Sequence, residues 1–149
     1  MKDINPFKVH DPVHWTGVLD EDLLTFDIVM ETPYGTTYNA YLIDADRKAV
    51  IDTVKQNFSE TYIRNLSKLV NPSDIEYIIC THTEPDHSGS VGRLLELAPN
   101  AIILGSAQAI NYLNEIINKP FKNIKVKDGD TLSLGNRTLR FIGAPNLHW

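Results

Sequence analysis

The sequence predicts a mixed α/β domain in which helices are layered on a sheet, and three observations carry that prediction. Short apolar, β-branched runs alternate with three stretches whose apolar residues fall at helical spacing. The 149 residues, 42% of them hydrophobic, suffice for one core, and neither a low-complexity linker nor a repeat divides them, so residues 1–149 read as one unit. The residues with most chemistry stand at the end of an apolar strand, where open α/β sheets build their sites.

Asn39 to Asp44 and Lys48 to Thr53 are β-rich and are joined by the charged turn Ala45-Asp46-Arg47, which reads as a hairpin. A helix follows with Ser59 as N-cap, its apolar residues at Tyr62, Ile63, Leu66, Leu69 and Val70, and Asn71-Pro72 ends it. Tyr77 to Thr81 is the next strand, and Val91 to Leu97 the next helix. After the Pro99-Asn100 turn, Ala101 to Leu104 reads as a short buried strand. Ala107 to Ile117 then places Ile110, Leu113 and Ile117 on one side of a third helix. The last third returns to strands at Ile124 to Val126, Thr131 to Leu134 and Thr138 to Ile142, with turns at Gly129-Asp130 and Gly135-Asn136.

The net charge of −5, with no basic run longer than Arg47-Lys48, argues against nucleic-acid and anionic-membrane partners. No segment reaches membrane-spanning length, and Met1 to His10 has no uninterrupted apolar stretch, so a soluble, cytoplasmic protein is expected. A single cysteine excludes an internal disulfide and agrees with a reducing compartment.

Residues 82–87 read His82-Thr83-Glu84-Pro85-Asp86-His87, two imidazoles and two carboxylates in six residues. A straight strand would put His82, Glu84 and Asp86 on one face and His87 on the other. Pro85 keeps Glu84 out of the helical region, and Ser88-Gly89-Ser90 offers a flexible turn, so the segment is expected to curl into a loop that points its ligands at two neighbouring ions. Desolvated together, Glu84 and Asp86 repel, and a divalent cation removes that cost. Imidazole with carboxylate suits iron, zinc or manganese, while the absence of thiolate argues against a closed structural zinc site.

Other residues have plainer readings. Cys80 lies within Ile78-Ile79-Cys80 as a small core residue. His10 and His14 flank Asp11-Pro12, which breaks the helix their spacing would need. Asp52 ends a strand, where a turn or hydrogen-bonding role outweighs support of a metal ligand. Tyr34, Tyr38 and Tyr41 fit half-buried strand packing better than proton supply. Gly89 and Gly92 lack the further residues of a phosphate-binding loop.

The HxExDH motif followed by Ser-Gly, the strand Thr36 to Ile43, Ile51-Asp52-Thr53 and the closing Pro145-Asn146-Leu147-His148-Trp149 occur here in one order. Together they resemble the N-terminal metallo-β-lactamase-like domain of flavodiiron proteins, the A-type flavoproteins. The resemblance implies an αββα sandwich, of which this chain covers roughly the first half to two-thirds. It also implies two irons that reduce dioxygen to water or nitric oxide to nitrous oxide, with electrons from FMN in a C-terminal flavodoxin-like domain and a donor such as rubredoxin. Carried onto this sequence, His82, Glu84 and His148 would bind one iron, and Asp86 and His87 the other. Zinc is the alternative metal, for a hydrolase of the same superfold, but such hydrolases carry histidine where Glu84 stands. A carboxylate there makes a harder, more anionic site that favours iron. The family's bridging carboxylate, its last histidine and the flavin domain would lie beyond Trp149. The chain is therefore expected to be an N-terminal fragment with weak metal occupancy, and its uncovered sheet edge and core to favour self-association, as in a homodimer.

Overall fold

The computed structural model describes residues 4–26 and 28–145. The chain runs through β1 (Phe7–His10), β2 (Val13–Trp15), β3 (Val18–Asp20), β4 (Thr25–Phe26), β5 (Met30–Glu31), β6 (Thr36–Tyr38), β7 (Tyr41–Ile43) and β8 (Lys48–Ile51). It continues with α1 (Ser59–Ser67), β9 (Ile75–Ile79), α2 (Pro85–Ser88), α3 (Val91–Leu97), β10 (Ile102–Gly105) and α4 (Ala107–Ile116), and closes with β11 (Lys122–Lys125), β12 (Thr131–Ser133) and β13 (Thr138–Arg140).

The main sheet has seven strands in the order β1-β2-β7-β8-β9-β10-β11. Its first half is antiparallel, built on the expected hairpin, whose register sets Leu42 opposite Val50. Its second half, from β8 through β11, is parallel, which the intervening helices make possible. Parallel strands covered on both faces read as continuous apolar runs, and Tyr77-Ile78-Ile79 does so. Period-two alternation then divides it. Ile78, with Leu42, Val50 and Ile103, faces a core completed by Tyr62 and Leu66 of α1, Val91 and Leu94 of α3, and Ile110 and Leu113 of α4. Tyr77 and Ile79, with Ile43, Ala49 and Leu104, face a second core closed by Leu134 and by Leu132 and Leu139 of the β12–β13 hairpin. The molecule is thus a helix layer, a sheet and a β layer. Each fully buried Leu or Ile contributes about 1.5–3 kcal/mol, so both faces hold the sheet.

The expected single strand Thr36 to Ile43 is divided. β6 pairs with β3 and β7 with β2, and the break falls at Asn39-Ala40, opposite Thr16-Gly17. Trp15 Nε1 donates to Asn39 Oδ1 at 2.9 Å and Thr16 N to Ala40 O at 2.8 Å, so the indole and the Thr16 amide stay bonded across the bend. Gly17 permits it, since a Cβ there would lie 2.2 Å from Tyr38 O and 2.8 Å from the Trp15 ring. Ser59 is also not a cap: Phe58 holds that position, and the Ser59 hydroxyl is taken up by Gln56 O (2.7 Å) and Ser90 Oγ (2.8 Å). No helix among the described residues is long and apolar enough to cross a membrane.

Candidate metal centre

Parallel pairing sets the site. β8 and β9 end level, Ile51 opposite Ile79, so Asp52 and the segment after Cys80 leave the same sheet edge side by side. Asp52 N donates to Ile79 O at 2.8 Å, and Cys80 N donates across to Leu104 O at 2.8 Å. Beyond this edge the segment curls as expected. Glu84 is extended (φ −62°, ψ 153°), as a residue before proline should be, and Pro85 opens the one-turn helix α2 that carries Asp86 and His87.

The Ser88-Gly89-Ser90 stretch is not the flexible turn that its composition implies. Ser88 Oγ donates to Thr83 O at 2.9 Å, and the Ser90 hydroxyl donates to Val54 O at 2.9 Å. Thr53 Oγ1 accepts from Ser90 N (3.2 Å) and donates to His87 O (2.8 Å). Both serines and Thr53 are buried, so the loop is riveted to the segment that follows β8.

The four motif side chains fall into two pairs. His82 Nε2 stands 3.4 Å from Glu84 Oε2, and His87 Nε2 stands 3.6 Å from Asp86 Oδ2. Two donors bound to one tetrahedral ion at about 2.1 Å stand about 3.4 Å apart, so each pair has the spacing of neighbouring ligands. The imidazole centroids are 5.3 Å apart at 78°, which keeps the two pairs adjacent and distinct. Among the described residues no three His, Cys, Asp or Glu side chains close on one point, so each pair offers two donors and a complete site needs more. His148, expected as the third ligand beside His82 and Glu84, lies outside the described residues.

The charge balance points the same way. Asp86 is only 17% exposed in its side chain and has no Lys or Arg nitrogen within 4 Å among the described residues. Asp52, 6% exposed, completes the set: it accepts hydrogen bonds from Thr81 N (2.7 Å), the Thr81 hydroxyl and His87 Nδ1 (3.0 Å). That bond to Asp52 holds the His87 imidazole pKa above its ordinary value against the opposing effect of burial, and the Asp86 and Glu84 charges add to the rise. Carboxylates crowded at a sheet edge with imidazoles as their partners make a place where a divalent cation lowers the electrostatic energy, so the donor set fits a metal.

Sequence reasoning underrated Asp52 and passed over Thr53, Thr81 and Ser90; the available signal was the polar pair Asp52-Thr53 closing an apolar strand. Tyr38 is fully buried and donates to Asp20 Oδ2 at 2.6 Å, with burial and then that bond raising its pKa. Cys80 is a buried core thiol, as read. His10 and His14 lie on β1 and β2, which β7 and β8 separate from β9 in the sheet. A pocket of about 50 Å³ beside His82, lined by Thr81, Thr83, Ser106, Gln108 and Ala109, has room for water. A larger cleft of about 580 Å³ between α3 and the segment 116–121 backs onto Ser88 and Gly89 without including the imidazoles.

Residues 36–149 match the family described as ODP family beta lactamase. The chain belongs to this family. It is 46% identical over 144 residues to the flavo-diiron protein FprA2 of Clostridium acetobutylicum, a match that covers 95% of this chain and 36% of that protein. It is 38% identical over 148 residues to the type A flavoprotein fprA of Rhodobacter capsulatus, covering 97% and 34%. The fold superposes on rubredoxin oxygen:oxidoreductase from Desulfovibrio gigas with a TM-score of 0.91 at 32% identity, covering 97% of this chain and 36% of that one. With the flavodiiron protein from Giardia intestinalis the TM-score is 0.91 at 29% identity, covering 100% and 36%. The metallo-β-lactamase-like architecture expected from the motifs is therefore present, and this ODP-family chain spans about a third of the length of the relatives it matches.

Proposed function

We propose that this chain supplies metal ligands to a diiron oxidoreductase that reduces dioxygen to water or nitric oxide to nitrous oxide. The observation that carries the reading is the pairing at the sheet edge: His82 with Glu84, and Asp86 with His87, each at ligand spacing. On this reading His82, Glu84 and His148 hold one iron, and Asp86 and His87 hold the other. The irons would supply electrons to the bound substrate, drawn in turn from FMN on a flavodoxin-like domain. The relatives' names, flavo-diiron protein and rubredoxin oxygen:oxidoreductase, support iron, flavin, oxygen and a rubredoxin-like donor.

The chain's own residues do three things in this scheme. Glu84 contributes an anionic oxygen donor, which favours a hard, oxidisable metal over the zinc of the hydrolases. Pro85 sets the turn that separates the two ligand pairs. Thr53 and Ser90 fix the loop to the β8 edge, so the ligands are held before a metal arrives. The single buried cysteine accords with a cytoplasmic setting.

The test is gas consumption by the iron-loaded chain with chemically reduced FMN as donor, followed at oxygen and nitric oxide electrodes. Consumption beyond that of reduced FMN alone, lost in Glu84→Ala and Asp86→Ala, supports the reading. Ester or amide hydrolysis by the zinc-loaded chain, with no gas consumption, would overturn it in favour of a hydrolase.

A further inference from the structure

We propose that Asp52 selects the tautomer of His87, holding its Nδ1–H so that Nε2 is the nitrogen presented beside Asp86. The functional meaning of this rests on the ion-site reading above; the tautomer itself does not.

Asp52 adopts a left-handed backbone conformation, φ 54°, which is unfavourable for a residue with a Cβ though better tolerated by Asp than by most. That conformation lets its main chain bond Ile79 while its side chain turns under α2. Oδ1 accepts from Thr81 N at 2.7 Å, and Oδ2 accepts from the Thr81 hydroxyl and meets His87 Nδ1 at 3.0 Å. A carboxylate offers lone pairs only, so Nδ1 carries the hydrogen. In the neutral ring Nε2 is then the bare nitrogen, and it lies 3.6 Å from Asp86 Oδ2. The other end of His87 is pinned as well, since its carbonyl accepts from Thr53 N at 2.7 Å and from Thr53 Oγ1 at 2.8 Å. Consecutive residues after β8 thus hold both the ring and the backbone of one histidine. This is how a ligand's tautomer and orientation are usually set by the group behind it.

The competing role, a turn residue that merely ends a strand, makes a different prediction for Asp52→Asn. Thr81 N can only donate, so the amide oxygen must face it, and the amide nitrogen is forced into the place of Oδ2. That nitrogen donates toward His87 Nδ1, which must become an acceptor, and the ring hydrogen moves to Nε2. A turn residue would leave His87 unaffected; a tautomer-selecting one would block the metal-facing nitrogen.

The experiment is ¹⁵N–¹H correlation of the imidazole nitrogens in the ¹⁵N-labelled, metal-free full chain, in alkaline buffer where the ring is neutral, with Co(II) uptake followed by absorption. The wild type should show His87 as Nδ1–H, Asp52→Asn should show it as Nε2–H, and Co(II) affinity should fall about 10- to 100-fold. Thr81→Val, which keeps the backbone donor, should leave the tautomer unchanged. Wild-type His87 in the Nε2–H form would overturn the proposal even if Asp52→Asn fails to fold. An unswitched ring in folded Asp52→Asn, or unchanged Co(II) affinity with a switched one, would overturn it too. A switch in a chain that takes up no Co(II) supports the positioning by Asp52 and counts instead against the ion-site reading.

Discussion

Replacing Gly89 by alanine should displace α2, which carries the proposed ligands Asp86 and His87, without touching either side chain. Gly89 caps α2 at φ −59° and ψ −26°, a conformation alanine adopts freely, so any penalty comes from contact alone. A Cβ there would lie 2.5 Å from Pro85 O, 2.7 Å from Gln56 N and 3.0 Å from Lys55 Cα. All three are backbone atoms, which no rotamer change can move aside. Non-bonded heavy atoms settle at about 3.5 Å, so α2 and the segment 55–56 must part by roughly 0.5–1 Å. Asp86 and His87 ride on α2 while Asp52 and Thr53 stay with β8, so the parting opens the bonds that orient His87. Overpacking of this kind costs about 1–3 kcal/mol, or a fall in Tm of roughly 2–10 °C for a chain of this size. Gly92 is the internal control: it lies in the first turn of α3 and a Cβ there meets nothing within 4 Å. Gly92→Ala should stabilise by up to about 1 kcal/mol, because alanine gives up less conformational freedom on forming a helix. Urea unfolding of both variants, with Co(II) titration, reads the contrast. Equal shifts in the two, or a Gly89→Ala variant within about 0.5 kcal/mol of wild type, would refute the reasoning.

Two further outcomes follow from the core. Leu66 is fully buried where α1 meets the sheet, and Leu66→Ala should cost about 2–5 kcal/mol in denaturant unfolding; a loss under about 1 kcal/mol would mean that α1 is not packed as described. The Cys80 thiol is buried, and burial pushes its pKa up, with the Asp52 charge adding to the shift. It should resist a thiol reagent in the native chain and react at once in urea; rapid native labelling would contradict its burial.

The parts of the fold legible in the sequence are those whose pattern is local. Val91 to Leu97 forms α3 as predicted, and Ala107 to Ile116 forms α4 one residue short of its predicted end, because their apolar spacing and flanking turns carry the signal. The region before residue 36 was opaque. Its strands are two to four residues long, and β1, β4 and β5 place no residue in the core, so hydrophobic alternation has nothing to report. The bend at Asn39 was hidden for a different reason: it depends on Trp15 and Gly17, more than twenty residues away in sequence. The candidate site was legible locally, since four ligand-type residues within six positions need no long-range information. What the motif could not announce is its support. Asp52 reaches His87 across 35 residues only because β8 and β9 pair in parallel with Ile51 opposite Ile79, and that register is a property of the assembled sheet.

The central claim is that residues 82–87 supply ligands to two ions and that Glu84 tilts the site toward iron. Metal content by mass spectrometry, after anaerobic loading of wild type, Glu84→His and Asp86→Ala with equimolar Fe(II) and Zn(II), tests it most directly. The account predicts partial metal uptake by the wild-type chain, since each pair offers only two of the donors a complete site needs, an iron-to-zinc ratio that falls in Glu84→His, and a lower total in Asp86→Ala. Metal uptake and ratio unchanged by either substitution, or a wild-type chain that takes up neither metal, would contradict it.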